Sequence, residues 1–237
     1  MALTPDEFTQ RLGTLREGLG EQGRRARALV QAAFDAFFHN SHDQAREAIA
    51  LDNEIDAFDV ELEQHAVALL TEAARETTPL SEEAIRRALT LVKVNNELER
   101  IADCGVTIAE AVLSMKPDAG PALELFPPTA RVMTNSVVGM LRDIARAYGS
   151  GDAQLARLVL QSEDVVAVFK TEITRKAERD VAAGSLPVEL AFDLHELASQ
   201  CTLMADHATN IAEQVIYEAT GTIVRHREGK WVVGDLG

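Results

Sequence analysis

Four carboxylates stand out by type and spacing. Asp52 and Asp56 lie four residues apart in one apolar-periodic segment, and Glu99 and Asp103 lie four apart in a later one. On a helix that separation puts two side chains on one face, about one turn apart. If the two faces meet inside a bundle, four negative charges converge. Like charges at short range are unfavourable unless a cation neutralises them or some take up protons. Oxygen-rich clusters with no cysteine and few histidines suit iron, manganese, magnesium or zinc. The competing reading is a solvated helix face, because the chain holds 38 Asp and Glu residues and such pairs are commonplace in it. Asp52 follows Ile49-Ala50-Leu51, and Asp103 sits among Ile101, Ala102 and Cys104. Both therefore border an expected apolar stripe, which favours the ion-holding reading.

The surrounding pattern occurs twice. NNELERIADCGVTIAE (Asn95 to Glu110) pairs with ASQCTLMADHATNIAE (Ala198 to Glu213), superposing Asp103 on Asp206, Ile108 on Ile211, Ala109 on Ala212 and Glu110 on Glu213. The segment from Asp52 to Phe58 similarly matches Glu163 to Phe169. The second copy thus offers Glu163, Ala167, Thr202 and Asp206 where the first has four carboxylates. His207, Asn210 and Glu213 stand nearby as substitute ligands. A histidine on an amphipathic helix also serves as a hydrogen-bonded boundary residue, so His207 has two readings.

Long helices must position these side chains. Aromatic residues make up only 5% of the chain, and Ala, Leu, Glu and Arg dominate its periodic stretches, which favours helix over strand. Thr4-Pro5-Asp6-Glu7 is a capping box with proline at the first helical position. It opens a helix to about Phe38 that must tolerate Gly13, Gly18, Gly20 and Gly23. Ser41 and Gln44 form a second capping box before a helix from His42 to about Glu76. A third helix runs from Ser81 to Met115. The Pro- and Gly-rich stretch from Pro117 to Pro128 is the natural boundary between lobes.

A fourth helix follows, with Met133, Val137, Met140, Ile144 and Ala147 on its buried face. The fifth covers about Asp152 to Ala183, and the sixth runs from Val188 to about Ala219 with Gly221 as its C-cap. The expected fold is all-α, two tandem three-helix bundles spanning residues 4–116 and 127–226 and related by internal duplication. A tail follows at 227–237, with a short extended segment around Trp231-Val232-Val233.

Charge and composition narrow the function. The formal net charge of -15 over 237 residues repels nucleic acid and anionic lipid. Arg24, Arg25 and Arg27 form the one basic cluster and read as a solvated face. No apolar run reaches the length of a membrane span. Cys104 and Cys201 lack CxxC spacing and no signal peptide opens the chain, so two buried thiols in a reducing cytoplasm are expected.

Other chemistries lack their residues. There is no glycine-rich phosphate loop after a strand, no HExxH and no GxSxG. The Glu-x-x-His pattern of di-metal bundles is missing too, because Leu62, Phe192 and Met204 stand three residues before His65, His195 and His207. A carboxylate metalloprotein handling or using a metal stays open as the alternative to a protein-contact regulator.

Taken in order, Asp52, Asp56, Glu99-Arg100-Ile101-Ala102-Asp103 and Ile108-Ala109-Glu110, followed by Ala205-Asp206-His207-Ala208-Thr209-Asn210-Ile211-Ala212-Glu213, resemble the PhoU-type regulators of phosphate transport and signalling. The stretch from Tyr217 to Gly221 and Arg225-His226 is similar to that family's ending, and the likeness covers about residues 5 to 226. It implies a cytoplasmic, non-enzymatic accessory protein built from a pair of three-helix bundles. It also implies acidic faces holding iron, zinc or manganese, a tendency to homodimerise, and association with the inner membrane only through protein partners. The implied partners are the ATPase of a phosphate ABC transporter and a sensor histidine kinase. Ala167 and Thr202 depart from the family's carboxylate pattern, so metal binding carries over mainly to the first lobe. A PhoU-like regulator of a different transporter is the remaining variant.

Overall fold

Six helices and a terminal hairpin make up the computed structural model, which describes residues 3–116, 124–227 and 230–234. The helices are α1 (Pro5–His39), α2 (His42–Arg75), α3 (Glu82–Ser114), α4 (Pro128–Ser150), α5 (Ala153–Ala182) and α6 (Val188–Thr220). Strands β1 (Ile223–Arg227) and β2 (Lys230–Gly234) close the chain. Helices α1 to α3 form one three-helix bundle and α4 to α6 the other. Residues 117–123, within the expected lobe boundary, and 235–237, within the expected tail, lie outside the described residues.

The helix starts are written in the caps. The Thr4 hydroxyl accepts from the Glu7 amide at 3.2 Å and the Glu7 carboxylate accepts from the Thr4 amide at 2.9 Å, a complete capping box. At Ser41 only half of the expected box forms. Its hydroxyl accepts from the Gln44 amide at 3.3 Å. The Ser41 amide instead donates to the Ala36 carbonyl at 3.0 Å, where it helps close α1. That amide is therefore not free to bond the Gln44 side chain.

The four glycines of α1 do not break it. Gly18 faces Phe58 across the α1–α2 contact, where an added Cβ would lie 3.1 Å from the ring. Gly221 ends α6 at φ 71, a left-handed cap that glycine adopts without a Cβ penalty. The fourth-helix face appears as read, with Met133, Val137, Met140, Ile144 and Ala147 all buried.

The two bundles share one core. A continuous buried cluster runs from Phe8 and Leu12 in α1 through Ile101 and Ile108 in α3 to Met204 and Ile216 in α6. The lobes meet where α3 packs on α6 and α1 on α4. Along the second seam Phe126 stacks on Phe37 with ring centroids 5.6 Å apart, and the Arg131 guanidinium lies 4.2 Å from the Phe38 ring centre. At the other end of α1, Arg16 bonds Glu218 and the Tyr148 carbonyl while lying over the Tyr148 ring. Within the first bundle the approach of α3 to α1 depends on Gly105, since a Cβ there would fall 2.4 Å from Leu29 Cδ2.

The expected extended segment around Trp231 is real but is half of a pair. Strand β2 runs antiparallel to β1, with Val224 opposite Val233 and Ile223 opposite Gly234. The sequence reading places no strand at β1, whose Val224 is buried.

Candidate functional site

The carboxylates of α2 and α3 converge. Asp52 and Glu99 are half-buried, while Asp56 and Asp103 are exposed beside them. Burial pushes the Asp52 carboxyl up to about 6, and the charges of Asp56 and Asp103 push the same way. Glu99 is pushed up to about 7, first by burial, then by the charges of Asp103 and Asp59. A hydrogen bond with the Asp103 side chain further favours its protonated form, and Arg100 opposes the rise only in part. The two i,i+4 pairs thus act on one another across the helix contact and share one patch.

The patch extends beyond the four residues that spacing singles out. Asp59, one turn beyond Asp56, is also raised, by burial and then by Glu63 and Asp56. It is held in place by Asn95, whose Nδ2 donates to the Asp59 carbonyl at 3.1 Å and to its carboxylate at 2.7 Å. Beneath the patch Gln22 is fully buried and donates to the Ile55 carbonyl at 2.7 Å, pinning α1 to α2. The i+3 relation of Asp59 to Asp56 was visible in the sequence. The anchoring roles of Gln22 and Asn95 were not, because nothing in either one's own neighbourhood names a partner on another helix.

As a ligand set the patch is loosely assembled. Among the described residues no three His, Cys, Asp or Glu side chains stand together as a ready-made set for an ion. Its chemistry nonetheless fits a hard cation. Asp52 Oδ1 is buried with no hydrogen-bond partner, and a cation would relieve the repulsion that raises Asp52 and Glu99.

The thiols take no part. Cys104 is pushed up to about 12 by burial and by the Asp103 and Asp206 charges. Cys201 is raised by burial. Both therefore stay protonated at neutral pH and are poor nucleophiles or ligands.

The second lobe uses its matching residues differently. His207 Nδ1 lies 2.7 Å from Glu97, and Asn210 Nδ2 donates to the same carboxylate oxygen at 3.2 Å. Both contacts cross from α6 to α3. Glu213, buried at 7% exposure, pairs with Arg225 at the start of the hairpin. Asp206 faces α3 closely enough to act on Cys104. Glu163 is half-buried on α5. The candidate substitute ligands His207, Asn210 and Glu213 thus have protein partners, two of them in joining the lobes. Glu97, central to that joint, gave no signal beyond lying in the repeated segment.

Comparison with known proteins agrees with this architecture. The PhoU domain model matches residues 19–112 and 130–215, one match in each bundle. A phosphate-specific transport system accessory protein PhoU homolog of Zymomonas mobilis is 28% identical over 236 residues, covering 99% of this chain and 96% of that protein. PhoU homolog 1 of Thermotoga maritima is 29% identical over 177 residues, 75% of this chain and 73% of that protein. In fold, the crystal structure of PhoU from Streptococcus pneumoniae superposes with a TM-score of 0.82 at 20% identity, covering 92% of this chain and all of that one. PhoU from Pseudomonas aeruginosa gives 0.79 at 21% identity, covering 91% and 100%. With both repeats matched and the duplicated bundle in place, the chain belongs to the PhoU family.

Proposed function

We propose that this protein is a non-enzymatic regulator of phosphate uptake and phosphate-starvation signalling that works by protein contacts. The observation carrying the reading is the family match in both repeats, joined to relatives named as accessory proteins of phosphate-specific transport. Its partners in this reading are the ATPase subunit of a phosphate ABC transporter and a sensor histidine kinase. It would meet both in the cytoplasm, at the inner membrane. Among the described residues no helix is long and apolar enough to cross a membrane, so attachment would run through those partners. The -15 charge suits basic docking surfaces, where it speeds encounter and filters wrong partners.

The α2–α3 patch is the cation site of this reading. Asp52, Asp56, Glu99 and Asp103 would hold iron, zinc or manganese, whose charge would quench their mutual repulsion and fix the acidic face that a partner meets. Homodimerisation is part of the same proposal, and the exposed Leu158, Val165 and Val168 along α5 offer apolar surface for it.

A pull-down from phosphate-replete cells tests the reading, comparing wild type with a Glu99→Ala, Asp103→Ala double variant. Capture of the transporter ATPase or the kinase by wild type, lost in a variant of unchanged helicity, is the expected result. Failure of wild type to retain either partner, together with unaltered phosphate repression on deletion, would sink it.

A further inference from the structure

We propose that the arginine face along the α1–α4 seam, formed by Arg24, Arg27, Arg142 and Arg146, docks a short Glu- and Asp-rich segment of a partner protein. The sequence displays only half of this face, as the basic cluster Arg24, Arg25 and Arg27. The fold divides that cluster and then completes it from the other lobe. Arg25 turns toward α2, where its guanidinium lies 5.9 Å from the Phe58 ring centre and 3.9 Å from Glu54. Arg24 and Arg27 remain beside α4.

The seam fixes which residues stand opposite each other. A Cβ at Gly23 would lie 3.8 Å from Ala145 Cβ, while Arg16 lies over Tyr148 and Arg131 over Phe38. The two helices therefore run antiparallel, with Gly23 and Ala145 at one level. Arg27 follows Gly23 by four residues and Arg142 precedes Ala145 by three, so each shares the seam-facing side of its helix. Arg24 lies three residues from Arg27, and Arg146 four from Arg142, one row farther out. At about 1.5 Å of rise per residue, all four stand within roughly 6 Å of one level along the seam. Its inner side is closed, with Gly23 buried against Leu98 of α3 and Ile144 buried on α4. The arginines, three exposed and Arg27 half-buried, accordingly face outward.

Two of the four are uncommitted: among the described residues Arg27 and Arg146 have no acidic partner. Arg24 holds Glu21 and Arg142 holds Asp143, with the arginine side chains 62% and 65% exposed. Exposed pairs of this kind contribute little, so either arginine exchanges its acid readily for another carboxylate. The face thus keeps local positive charge in a chain whose net charge is -15. Gly20 and Gly139, one turn before Arg24 and Arg142, have nothing within 4 Å of an added Cβ. An incoming chain can therefore lie close to the helix backbones beside the guanidinium groups.

Charge and shape select the occupant. The flat fork of arginine pairs with a carboxylate through two parallel hydrogen bonds. A broad polyanion, membrane or nucleic acid, would also meet the negative field of the rest of the molecule. A short acidic segment touches the arginine face alone. This surface is opposite in sign to the α2–α3 patch, and its occupant does not depend on the partners proposed above.

Fluorescence anisotropy of a fluorescein-labelled octaglutamate peptide, titrated with the full chain at low salt, tests this. Saturable binding is expected, weakened about tenfold in an Arg27→Gln, Arg146→Gln double variant, the loss of two surface ion pairs. Arg27→Lys with Arg146→Lys keeps the charge and should recover only part of that loss, because the fork is gone. Arg175→Gln with Arg179→Gln makes the same charge change at exposed positions on α5 and should bind as wild type does. Equal weakening by the α1–α4 and α5 glutamine variants would reduce the effect to net charge and overturn the proposal. So would the lack of saturable binding by wild type, or tighter binding of phosphatidylglycerol vesicles or oligothymidylate to the same arginines.

Discussion

Glu97 and His207 bind the two repeats together: the Glu97 carboxylate on α3 lies 2.7 Å from Nδ1 of His207 on α6. Both side chains are about four-fifths buried, and Asn210 adds a second donor to the same oxygen. A partly desolvated, charge-assisted contact of this kind contributes on the order of 1.5–3 kcal/mol. His207→Ala is therefore expected to lower unfolding stability by about 2 kcal/mol, read from the urea midpoint at pH 7. A double-mutant cycle with Glu97→Gln should return a coupling of about 1 kcal/mol or more. Strict additivity would show that the contact holds nothing together.

The raised carboxyls give the protein a defined pH response. Glu99 moves from its ordinary 4.5 to about 7 and Asp52 from 3.8 to about 6. A carboxyl whose folded pKa is raised binds more protons in the folded than in the unfolded state over that interval, so stability falls as pH rises through it. The loss sets in near pH 4 and is complete a little above pH 7. Glu99→Gln should flatten the fall and leave the variant more stable than wild type at pH 8, measured as Tm against pH. Added manganese or zinc should raise wild-type Tm at pH 8 more than that of Glu99→Gln. A wild-type Tm that climbs steadily from pH 5 to pH 8 would contradict the shared-patch electrostatics.

Helix packing supplies a matched pair of glycine tests. Gly105→Ala would place a methyl 2.4 Å from Leu29 Cδ2 and 3.4 Å from Val30 Cγ2, at the crossing of α3 and α1. Overpacking of that sort costs about 1–3 kcal/mol. Gly13 lies exposed in α1 with nothing within 4 Å of an added Cβ. Gly13→Ala should stabilise by about 0.5–1 kcal/mol through helix propensity alone. Chemical denaturation of the two variants in parallel checks both signs at once.

Most of the scaffold was legible in the chain because local rules governed it. Thr4, Ser41 and Gly221 mark helix ends through their own backbone chemistry. The Met133–Ala147 stripe follows from helical periodicity, and the repeat of Asp103 at Asp206 follows from simple superposition. Spacing also singles out Asp52, Asp56, Glu99 and Asp103 as a candidate patch, because an i,i+4 relation survives any tertiary arrangement. What stayed hidden depends on which surfaces meet. Glu97 looks like any solvated acid until α6 brings His207 to it, and Asn95 looks like a helix-surface amide until α2 brings Asp59. Strand β1 escapes a sequence reading because Ile223 to Arg227 carries three polar residues in a row, Arg225-His226-Arg227, whereas β2 shows the apolar run Trp231-Val232-Val233. It becomes a strand through pairing with β2 and burial of Val224.

Duplication invites the assumption that matched residues do matched work, and Glu110 and Glu213 are the place to test it. They superpose in the repeat, yet Glu110 is exposed on α3 whereas Glu213 is buried and paired with Arg225 of the hairpin. Among the described residues the hairpin has no counterpart in the first lobe, and its first strand packs against α6. Glu110→Ala should be nearly neutral, within about 0.5 kcal/mol, as for other exposed substitutions. Glu213→Ala removes a largely desolvated acceptor and leaves Arg225 without it, at a cost of about 1–3 kcal/mol. Arg225→Ala should cost at least as much as Glu213→Ala and more than Glu110→Ala, because it takes the cationic partner from a largely buried acid, whereas Glu213→Ala leaves a half-exposed base that water can solvate. Urea denaturation ranks the three. Equal effects of Glu110→Ala and Glu213→Ala would mean the hairpin only rests on α6, and the ion pair would then contribute nothing to holding it there.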